Sequence, residues 1–418
     1  MHITRDKYLE KIKAKMNNGL VKTITGIRRC GKSYLLHDIF IPYLKSINVD
    51  DAHVIYISLD ELKNIELRET MNLYNYIIKS VVDEKNYYVI IDEVQLVDNF
   101  WEVLNSLLHY KNVDVYATGS NSKFLSKDIM TNFRGRSDEV RIHPLTFKEY
   151  IDTSSKEVAE AYGEYEIYGG MPGMVLLKDE KDKREYLTRL FKETYYKDII
   201  ERYKIKNLEI MDELLNVISS SVGSYTNANR LINTFNSKKK TKTSINTINN
   251  YLEELIESFI ISSADKYDIR GKNYINTPKK YYFEDIGLRN ARLNFRQIER
   301  GYAMENIIYN ELIARGYNVD VGMVEINEKN KDNKYVRKQL EVDFIVNLGR
   351  QKYYIQSAYD MSDENKRESE YRSLRQVNDS FKKFVIRHDN NRTYINDYGI
   401  INLGFFDFLL NEDCFNFD

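Results

Sequence analysis

The sequence predicts an α/β protein, and three observations predict it. From Val21 to Tyr150 short runs rich in β-forming residues alternate with helical stretches, the order that builds a parallel sheet with helices on both faces. Four of the five runs, Val21–Thr25, His53–Ser58, Tyr87–Asp92 and Val113–Thr118, finish beside polar or glycine residues, and only Glu139–His143 does not. Ligands of open α/β sheets bind beyond the carboxyl ends of the strands, where those residues lie. The first run is followed at once by Gly26-Ile27-Arg28-Arg29-Cys30-Gly31-Lys32-Ser33, a fit to GxxxxGK[ST].

Past Tyr150 the pattern changes. A chain of 418 residues is too long for one ordinary core and, at about 100–200 residues per domain, should hold about two to four. Residues 1–150 are the expected P-loop core. Mostly helical sequence over 151–204 reads as a lid, interrupted at Gly169-Gly170-Met171-Pro172-Gly173 by a turn between helices. Residues 205–298 show three helices, Glu209–Ser220, Asn227–Phe235 and Ser244–Glu257. A hairpin of Phe259–Asp265 and Lys280–Phe283 follows around a basic, glycine-containing tip, and that order suggests a winged helix. Residues 299–418 begin with a helix, Tyr302–Arg315, and run through strand-like Leu340–Val346 and Lys352–Gln356, a further α/β domain with a charged hairpin tip at Asn327–Asn333.

The composition, 42% hydrophobic and 30% charged with a net charge of -1, is that of a soluble globular protein and excludes a wholly basic nucleic-acid coat. No apolar run reaches the length of a membrane span, and the charged stretch from Met1 to Lys15 is not a secretory signal, so no membrane association and a cytoplasmic location are expected. Cys30 and Cys414 are too few for a disulfide framework or a four-ligand zinc site and are expected as reduced thiols.

The expected nucleotide site has two halves. In the first, glycines let backbone N–H groups close around phosphates at a helix N-terminus, whose partial positive charge favours an anion. Gly26, Ile27, Arg28, Arg29, Cys30, Gly31, Lys32 and Ser33, with Tyr34 next to them, would hold ATP, with Lys32 on the β- and γ-phosphates and Ser33 on Mg2+. Cys30 is expected there only as a small residue that fits. In the second half, Tyr87-Tyr88-Val89-Ile90-Ile91-Asp92-Glu93 is an apolar strand ending in two carboxylates. Asp92 would hold the magnesium and Glu93 would orient and polarise the attacking water, because phosphoryl transfer is mostly positioning and charge stabilisation. The phosphate-loop motif follows a predicted strand and precedes a helix, as it should; an Asp-Glu pair after a strand is weak alone, and together with that motif upstream in a βα series it is strong.

Beyond the strand Val113–Thr118, Ser120 is the candidate sensor of the γ-phosphate; the alternative is that Ser120 or Asn121 caps the next helix. Arg134 and Arg136 in Phe133-Arg134-Gly135-Arg136 suit an arginine finger completing a neighbouring subunit's site, with surface ion pairing as the alternative.

The segments Gly26–Ser33, Val89–Gln95, Thr118–Asn121 and Phe133–Arg136, together with Pro144-Leu145-Thr146-Phe147-Lys148-Glu149-Tyr150, resemble a bacterial and archaeal family of AAA-type ATPases. The resemblance covers nearly the whole chain. It implies an AAA-type P-loop core with a helical lid, then a winged-helix segment, then a C-terminal domain similar to restriction-endonuclease folds and of unknown function. For that last domain the resemblance rests on Glu305, Glu341-Val342-Asp343-Phe344 and Tyr354-Ile355-Gln356-Ser357-Ala358. The chain departs from the pattern where it has Gln356 and Ala358 in place of a carboxylate and a lysine, so the domain is expected not to cut nucleic acid.

Two functions fit these features. The first is a magnesium-dependent ATPase, a homo-oligomer when working, that couples nucleotide state to domain movement, perhaps on DNA. The second is a slow nucleotide-gated switch that recognises a protein or DNA partner through its C-terminal half. Between Asn227 and Tyr282 ten cations (Arg230, Lys238, Lys239, Lys240, Lys242, Lys266, Arg270, Lys272, Lys279 and Lys280) stand against five acids (Glu253, Glu254, Glu257, Asp265 and Asp268). Such an excess could contact DNA phosphates or could be only a solvated basic face.

Overall fold

The computed structural model describes residues 3–119, 133, 135–239, 243–296, 298–330, 333–389 and 392–416. The chain forms two compact units. The first comprises Met1–Pro144, Met171–Leu176 and Glu257–Phe259, and the second comprises Leu145–Gly170, Leu177–Ile256 and Ile260–Asp418. Among the described residues no helix is long and apolar enough to cross a membrane.

In the first unit, α1 (Asp6–Lys13) leads into a sheet of β1 (Val21–Thr25), β2 (Val54–Ser58), β3 (Tyr87–Asp92), β4 (Val113–Thr118) and β5 (Ser137–Arg141). The strands are all parallel, in the order β2-β3-β4-β1-β5. Because β3 and β4 are central and covered on both faces, every residue of each is buried, which is why they read as near-continuous apolar runs. One face carries Val89, Ile91, Val115 and Ala117. It packs on Leu73 and Ile77 of a helix over Thr70–Ser80 and on Phe100, Val103, Leu104 and Leu107 of another over Phe100–Leu107. The other face presents Tyr116, whose ring lies 4.7 Å from that of Phe40, and a buried ion pair between Lys22 and Asp114. The Tyr116 hydroxyl donates to the same Asp114 carboxylate at 2.7 Å.

Four strands lie within one residue of their expected positions, whereas β5 starts and ends two residues early. Its ends follow its pairing with β1, from Val21 opposite Ser137 to Thr25 opposite Arg141, and not its apolar content. The helical run after β1 has three parts: α2 (Lys32–Tyr34), a wide π-type turn over Leu35–Phe40, and α3 (Ile41–Ser46) with Pro42 in its first turn. A proline has no N–H to give and its ring crowds the carbonyl four residues back, so the widened turn lets the helix pass through it.

The second unit holds the remaining helices and an eight-stranded mixed sheet. Helices α6 (Phe147–Ile151), α7 (Val158–Tyr168) and α8 (Glu180–Tyr195) come first, and a reciprocal cap between Thr146 and Glu149 starts α6. Next are α9 (Leu208–Ser220), α10 (Ala228–Lys239) and α11 (Ile245–Glu257), the three helices expected ahead of a hairpin. That hairpin is β6 (Ile261–Asp268) and β7 (Asn273–Phe283). A helix over Ile286–Arg292 and one over Arg300–Ala314 precede the long pair β8 (Asn318–Lys329) and β9 (Tyr335–Leu348), then β10 (Gln351–Ala358). The sheet order is β12-β13-β11-β10-β9-β8-β6-β7, completed by β11 (Lys382–Arg387), β12 (Tyr394–Ile395) and β13 (Ile401–Gly404). β6 pairs in parallel with β8, Lys266 opposite Val321. The hairpin expected to complete a winged helix over 205–298 is thus part of the same sheet as the strands of 299–418, and β6 covers a strand edge of β8 that would otherwise be unpaired.

The turn after α7 is built around one buried carboxylate. Asp285 accepts from the N–H of Leu288 at 2.9 Å, capping the helix Ile286–Arg292, and from the N–H of Gly170 at 2.7 Å. Burial pushes its carboxyl up to about 6 in spite of these donors. Asn290 donates to the carbonyls of Glu166 and Ile167 at 3.1 and 2.9 Å, closing the end of α7. Gly169 has φ +69° and ψ −163°, and a Cβ there would lie 2.4 Å from both carboxylate oxygens of Asp285. Gly169→Ala should therefore cost about 2 kcal/mol or more of stability, from backbone strain and the displaced carboxylate. A denaturant melt reads this directly, and an unchanged midpoint would show that the Asp285 turn does not constrain the fold.

Candidate nucleotide site

The phosphate loop leaves β1 at Thr25 and bends through three residues of positive φ: Gly26 (141°), Arg29 (63°) and Gly31 (102°). A Cβ on Gly26 would sit 2.2 Å from the Ile142 carbonyl oxygen and 2.9 Å from Cys30 Sγ, so only glycine lets the loop lie this close to its neighbours. Cys30 is buried, with its N–H on the Ile27 carbonyl at 3.2 Å, a small residue filling the inside of the bend as expected. Gly31 caps α2, and its carbonyl takes the Leu35 N–H at 2.9 Å. Lys32 is buried and folds back into the loop, its Nζ donating to the carbonyls of Gly26 at 3.0 Å and Ile27 at 3.1 Å. Two of its three donors thus position the ammonium inside the bend. The Tyr34 hydroxyl accepts from the Ile3 N–H at 3.1 Å and ties the helix to the start of the chain.

The carboxylate pair is placed by strand register. Ile91 lies opposite Ala117, so Asp92, the last residue of β3, is the neighbour of Thr118, the last of β4. The Thr118 hydroxyl donates to Asp92 Oδ1 and accepts the Glu93 N–H at 3.0 Å. Tyr56 Oη reaches Asp92 Oδ2 at 3.4 Å, and burial holds that phenol well above its usual range, so it stays a donor. Glu93 is left-handed, φ 56° and ψ 44°, and its carboxylate accepts from the Gln95 side-chain amide.

This donor set fits a magnesium ion that arrives with a nucleotide. Among the described residues no group of three His, Cys, Asp or Glu could hold a metal by itself. Magnesium is usually bound by one or two carboxylates together with phosphate oxygens, and Asp92, with the Ser33 hydroxyl expected from the loop motif, would be the protein's share of such a shell.

Ser120 and Arg134 lie outside the described residues. Arg136 is exposed and directly precedes β5, whose first residue is opposite Val21 at the start of β1. The loop follows the other end of β1, five residues on and roughly 17 Å away at strand rise, so Arg136 is not brought to its own chain's loop. Thr118, Tyr56 and Gln95 were not singled out from sequence as parts of this site. Thr118 ends a strand next in the series to the Asp92 strand, which is the one available signal; nothing in the spacing marks Tyr56.

The second unit contains a separate ionic cluster. Lys280 on β7 is 3% exposed at its side chain, with Nζ 2.9 Å from Glu305, 2.5 Å from Glu341 and 3.9 Å from Asp343. Tyr282 donates to Glu305 at 2.8 Å, the Ser357 N–H to Asp343 at 2.8 Å, and Gln356 Oε1 takes the Asp343 N–H at 3.4 Å. Glu305, Asp343, Gln356 and Glu370 face a cleft of about 480 Å³. The lysine expected to be missing at Ala358 is thus supplied from another strand, which the sheet pairing of β6 with β8 brings into place. Burial works against the Lys280 charge, but Glu305, Asp343 and Glu341 hold it above the usual lysine range. Burial lifts Glu305 and Asp343 above the ordinary carboxylate range, against the pull of Lys280.

This placement also corrects the charge count over 227–282. Lys280 and Lys266 are buried, the latter on Gln339 at 3.0 Å; Lys279 pairs with Asp265 at 2.7 Å. Arg270 donates to the Glu325 carbonyl at 2.8 Å and to Gln376 at 3.3 Å. The side chains of Lys238, Lys239, Lys240 and Lys242 lie outside the described residues. A count along the chain treats every cation as exposed, whereas the shared sheet turns Lys266 and Lys280 inward.

Five parallel strands, a GxxxxGK[ST] loop after β1 and a carboxylate pair after β3 define a P-loop ATPase fold of the AAA class. Residues 18–151 match the family described as AAA domain, and residues 159–299 match a domain family of unknown function. An uncharacterized protein of Haemophilus influenzae is 32% identical over 390 residues, 92% of this chain and 93% of its own, and the chain belongs to the same AAA-domain family. A protein of Methanocaldococcus jannaschii is 31% identical over 85% of this chain and 78% of its own. Among solved structures, the Walker-type ATPase PABY2304 of Pyrococcus abyssi is similar at 16% identity and a TM-score of 0.49, over 70% of this chain and 96% of that one. DnaA of Aquifex aeolicus bound to AMPPCP is similar at 15% identity and a TM-score of 0.31, over 60% of this chain and 86% of that one.

Removing the Lys280 ammonium leaves buried carboxylates without their counter-charge, so Lys280→Met should cost about 3–5 kcal/mol near pH 8. Carboxyls whose folded pKa is raised contribute stability that is full below their unfolded pKa and is lost as the pH rises through the folded one. Without Lys280 the folded values of Glu305 and Asp343 rise further, so the deficit should shrink as the pH falls towards about 4. Denaturant melts of both proteins across that range check the sign; a deficit that grows in acid would mean that the carboxylates are not what Lys280 stabilises.

Proposed function

We propose that the chain is a cytoplasmic, magnesium-dependent ATPase whose nucleotide state is coupled to movement of its other domains. The observation that carries this reading is that the loop bearing Lys32 and Ser33 follows β1 and the Asp92–Glu93 pair stands at the end of β3, two strands that both pair in parallel with β4 and so finish at the same edge of the sheet. Lys32 binds the β- and γ-phosphates, and Ser33 and Asp92 hold Mg2+, which supplies neutralisation of the charge that builds on the transferred phosphoryl group. The loop N–H groups from Gly26 to Ser33 orient the phosphates, Tyr34 extends the nucleotide contacts, and Glu93 orients the water and takes its proton.

The exposed Arg136, far from its own loop, suits an arginine finger offered to a neighbouring copy, so the working form is a homo-oligomer. Arg134 and the sensor Ser120 belong to the same proposal. The order of parts is an ATPase core over 1–150, a lid over 151–204, a winged-helix-like segment over 205–298 and an endonuclease-like segment over 299–418 that does not cut. That last point rests on Gln356 and Ala358, which stand where the pattern has a carboxylate and a lysine. DNA contact through 227–282 rests on the cations that are not turned inward. One observation favours the slower, switch-like alternative: the Gln95 amide already occupies a carboxylate oxygen of Glu93.

Turnover of the pure protein, with and without DNA in magnesium, tests these readings. Glu93→Gln should keep ATP binding and lower hydrolysis at least about tenfold, because the amide cannot take the water's proton. Lys32→Ala should abolish binding. Wild-type turnover in Glu93→Gln would remove Glu93 from the chemistry. In the same incubations the DNA should stay intact, and any acceleration it causes should fade as salt rises; cleavage lost in Asp343→Ala would instead make the C-terminal cluster a working site.

A further inference from the structure

Thr118 ends β4 with its side chain wholly buried, and it makes no use of its position to face solvent. A hydroxyl has one proton to donate and two lone pairs to accept with. Thr118 gives the proton to the Asp92 carboxylate and takes the Glu93 N–H at 3.0 Å. One oxygen therefore grips both members of the carboxylate pair, one through its side chain and the other through its backbone.

The two grips have different consequences. The bond to Asp92 Oδ1 fixes the carboxylate's rotation and leaves Oδ2 to Tyr56, whose 3.4 Å contact is the weaker of the two. Carboxylates that hold a metal depend on such outer partners for their aim. The bond from the Glu93 N–H acts on a residue held at φ 56° and ψ 44°, a left-handed conformation unfavourable for a residue with a side chain. A Glu93 backbone that relaxed to an extended form would swing its carboxylate off the end of β3. The Ile91–Ala117 register makes this arrangement available: it sets the ends of the two strands side by side, which puts a hydroxyl residue with a β-branched, restricted side chain beside Asp92.

We propose that Thr118 is the positioning residue of the site: its hydroxyl sets the aim of Asp92 at magnesium and the backbone pose of Glu93 at the water, without itself touching phosphate. The inference rests on the reading of Asp92 and Glu93 as metal-holding and water-orienting groups. It makes Thr118 distinct from a sensor such as Ser120, whose hydroxyl would have to be available to the γ-phosphate.

Thr118→Val keeps the shape and removes the hydroxyl; Thr118→Ser keeps the hydroxyl and removes the methyl. In Thr118→Val, kcat should fall about tenfold or more and the magnesium concentration for half-maximal turnover should rise about tenfold, as outer partners of metal ligands do when removed. Binding of a fluorescent ATP analogue in EDTA should stay within about twofold, since the loop is untouched, and Thr118→Ser should restore both parameters to within about threefold of wild type. Two readouts stand apart from turnover: the gain in analogue affinity on adding magnesium should be lost in Thr118→Val, and the Glu93 amide should exchange its hydrogen faster. Unchanged kcat and magnesium dependence in Thr118→Val would overturn the proposal, as would a Thr118→Ser protein impaired as badly as Thr118→Val. A wild-type protein without turnover would sink the ATPase reading, while the magnesium-linked affinity and the exchange rate would still decide for or against Thr118. If Thr118→Val does not fold, Thr118→Ala is held to the same thresholds.

Discussion

Parallel pairing of β1, β3 and β4 is the constraint from which the nucleotide site follows. In a parallel sheet all carboxyl ends point one way, so the loop after β1 and the carboxylates at the end of β3 lie at the same edge of the sheet, on either side of β4, although some sixty residues of chain separate them. The same pairing sets Thr118 beside Asp92, and the parallel pairing of β5 with β1 leaves Arg136, which precedes β5, at the amino end of these strands, opposite the loop. Shifting β4 by one residue against β3 would turn Thr118 to the opposite face and separate it from Asp92. The apolar faces specify that register: Val89, Ile91, Val115 and Ala117 lock into one core, which leaves Asp92 and Thr118 together on the other face.

That second face is unusually polar for the interior of a sheet. Lys22, Asp114 and Tyr116 form a buried ion pair and hydrogen bond between β1 and β4, in line with Thr118 and Asp92 further along. Buried charges of this kind are tolerated when every partner is satisfied, and breaking one leaves the other exposed to a low dielectric. The polar line therefore fixes strand pairing more sharply than hydrophobic contact alone. The consequence reaches the chemistry, because the last member of the line is the carboxylate assigned to magnesium.

The second unit is organised by buried ion pairing as well, with a different outcome. Its cluster of Glu305, Glu341 and Asp343 comes from a helix and a strand, and a lysine from β7 reaches into it. Lys280 belongs by sequence to the hairpin of a winged-helix-like segment and by structure to the interior of the C-terminal sheet. Lys280 gives that acid cluster a fixed cation from another strand, whereas Asp92 is held by hydroxyls, those of Thr118 and Tyr56.

Much of the nucleotide site was legible in the sequence because its pieces are local. Gly26 to Ser33 form a loop whose glycines, lysine and serine have roles set by a short fixed spacing, and Tyr87–Asp92 reads as a buried strand from its own composition. The three helices before the β6–β7 hairpin were legible for the same reason, since period and capping are properties of adjacent residues. What the sequence could not decide is which strands become neighbours. Thr118 on Asp92, Tyr56 on Asp92 and Lys280 among three carboxylates are contacts between residues 26, 36 and 25 to 63 positions apart, with no spacing rule to announce them. Charge counted along 227–282 overstates the exposed excess for that reason: whether a lysine faces solvent or a buried carboxylate depends on the sheet it joins, and the pairing of β6 with β8 exists only in the folded chain.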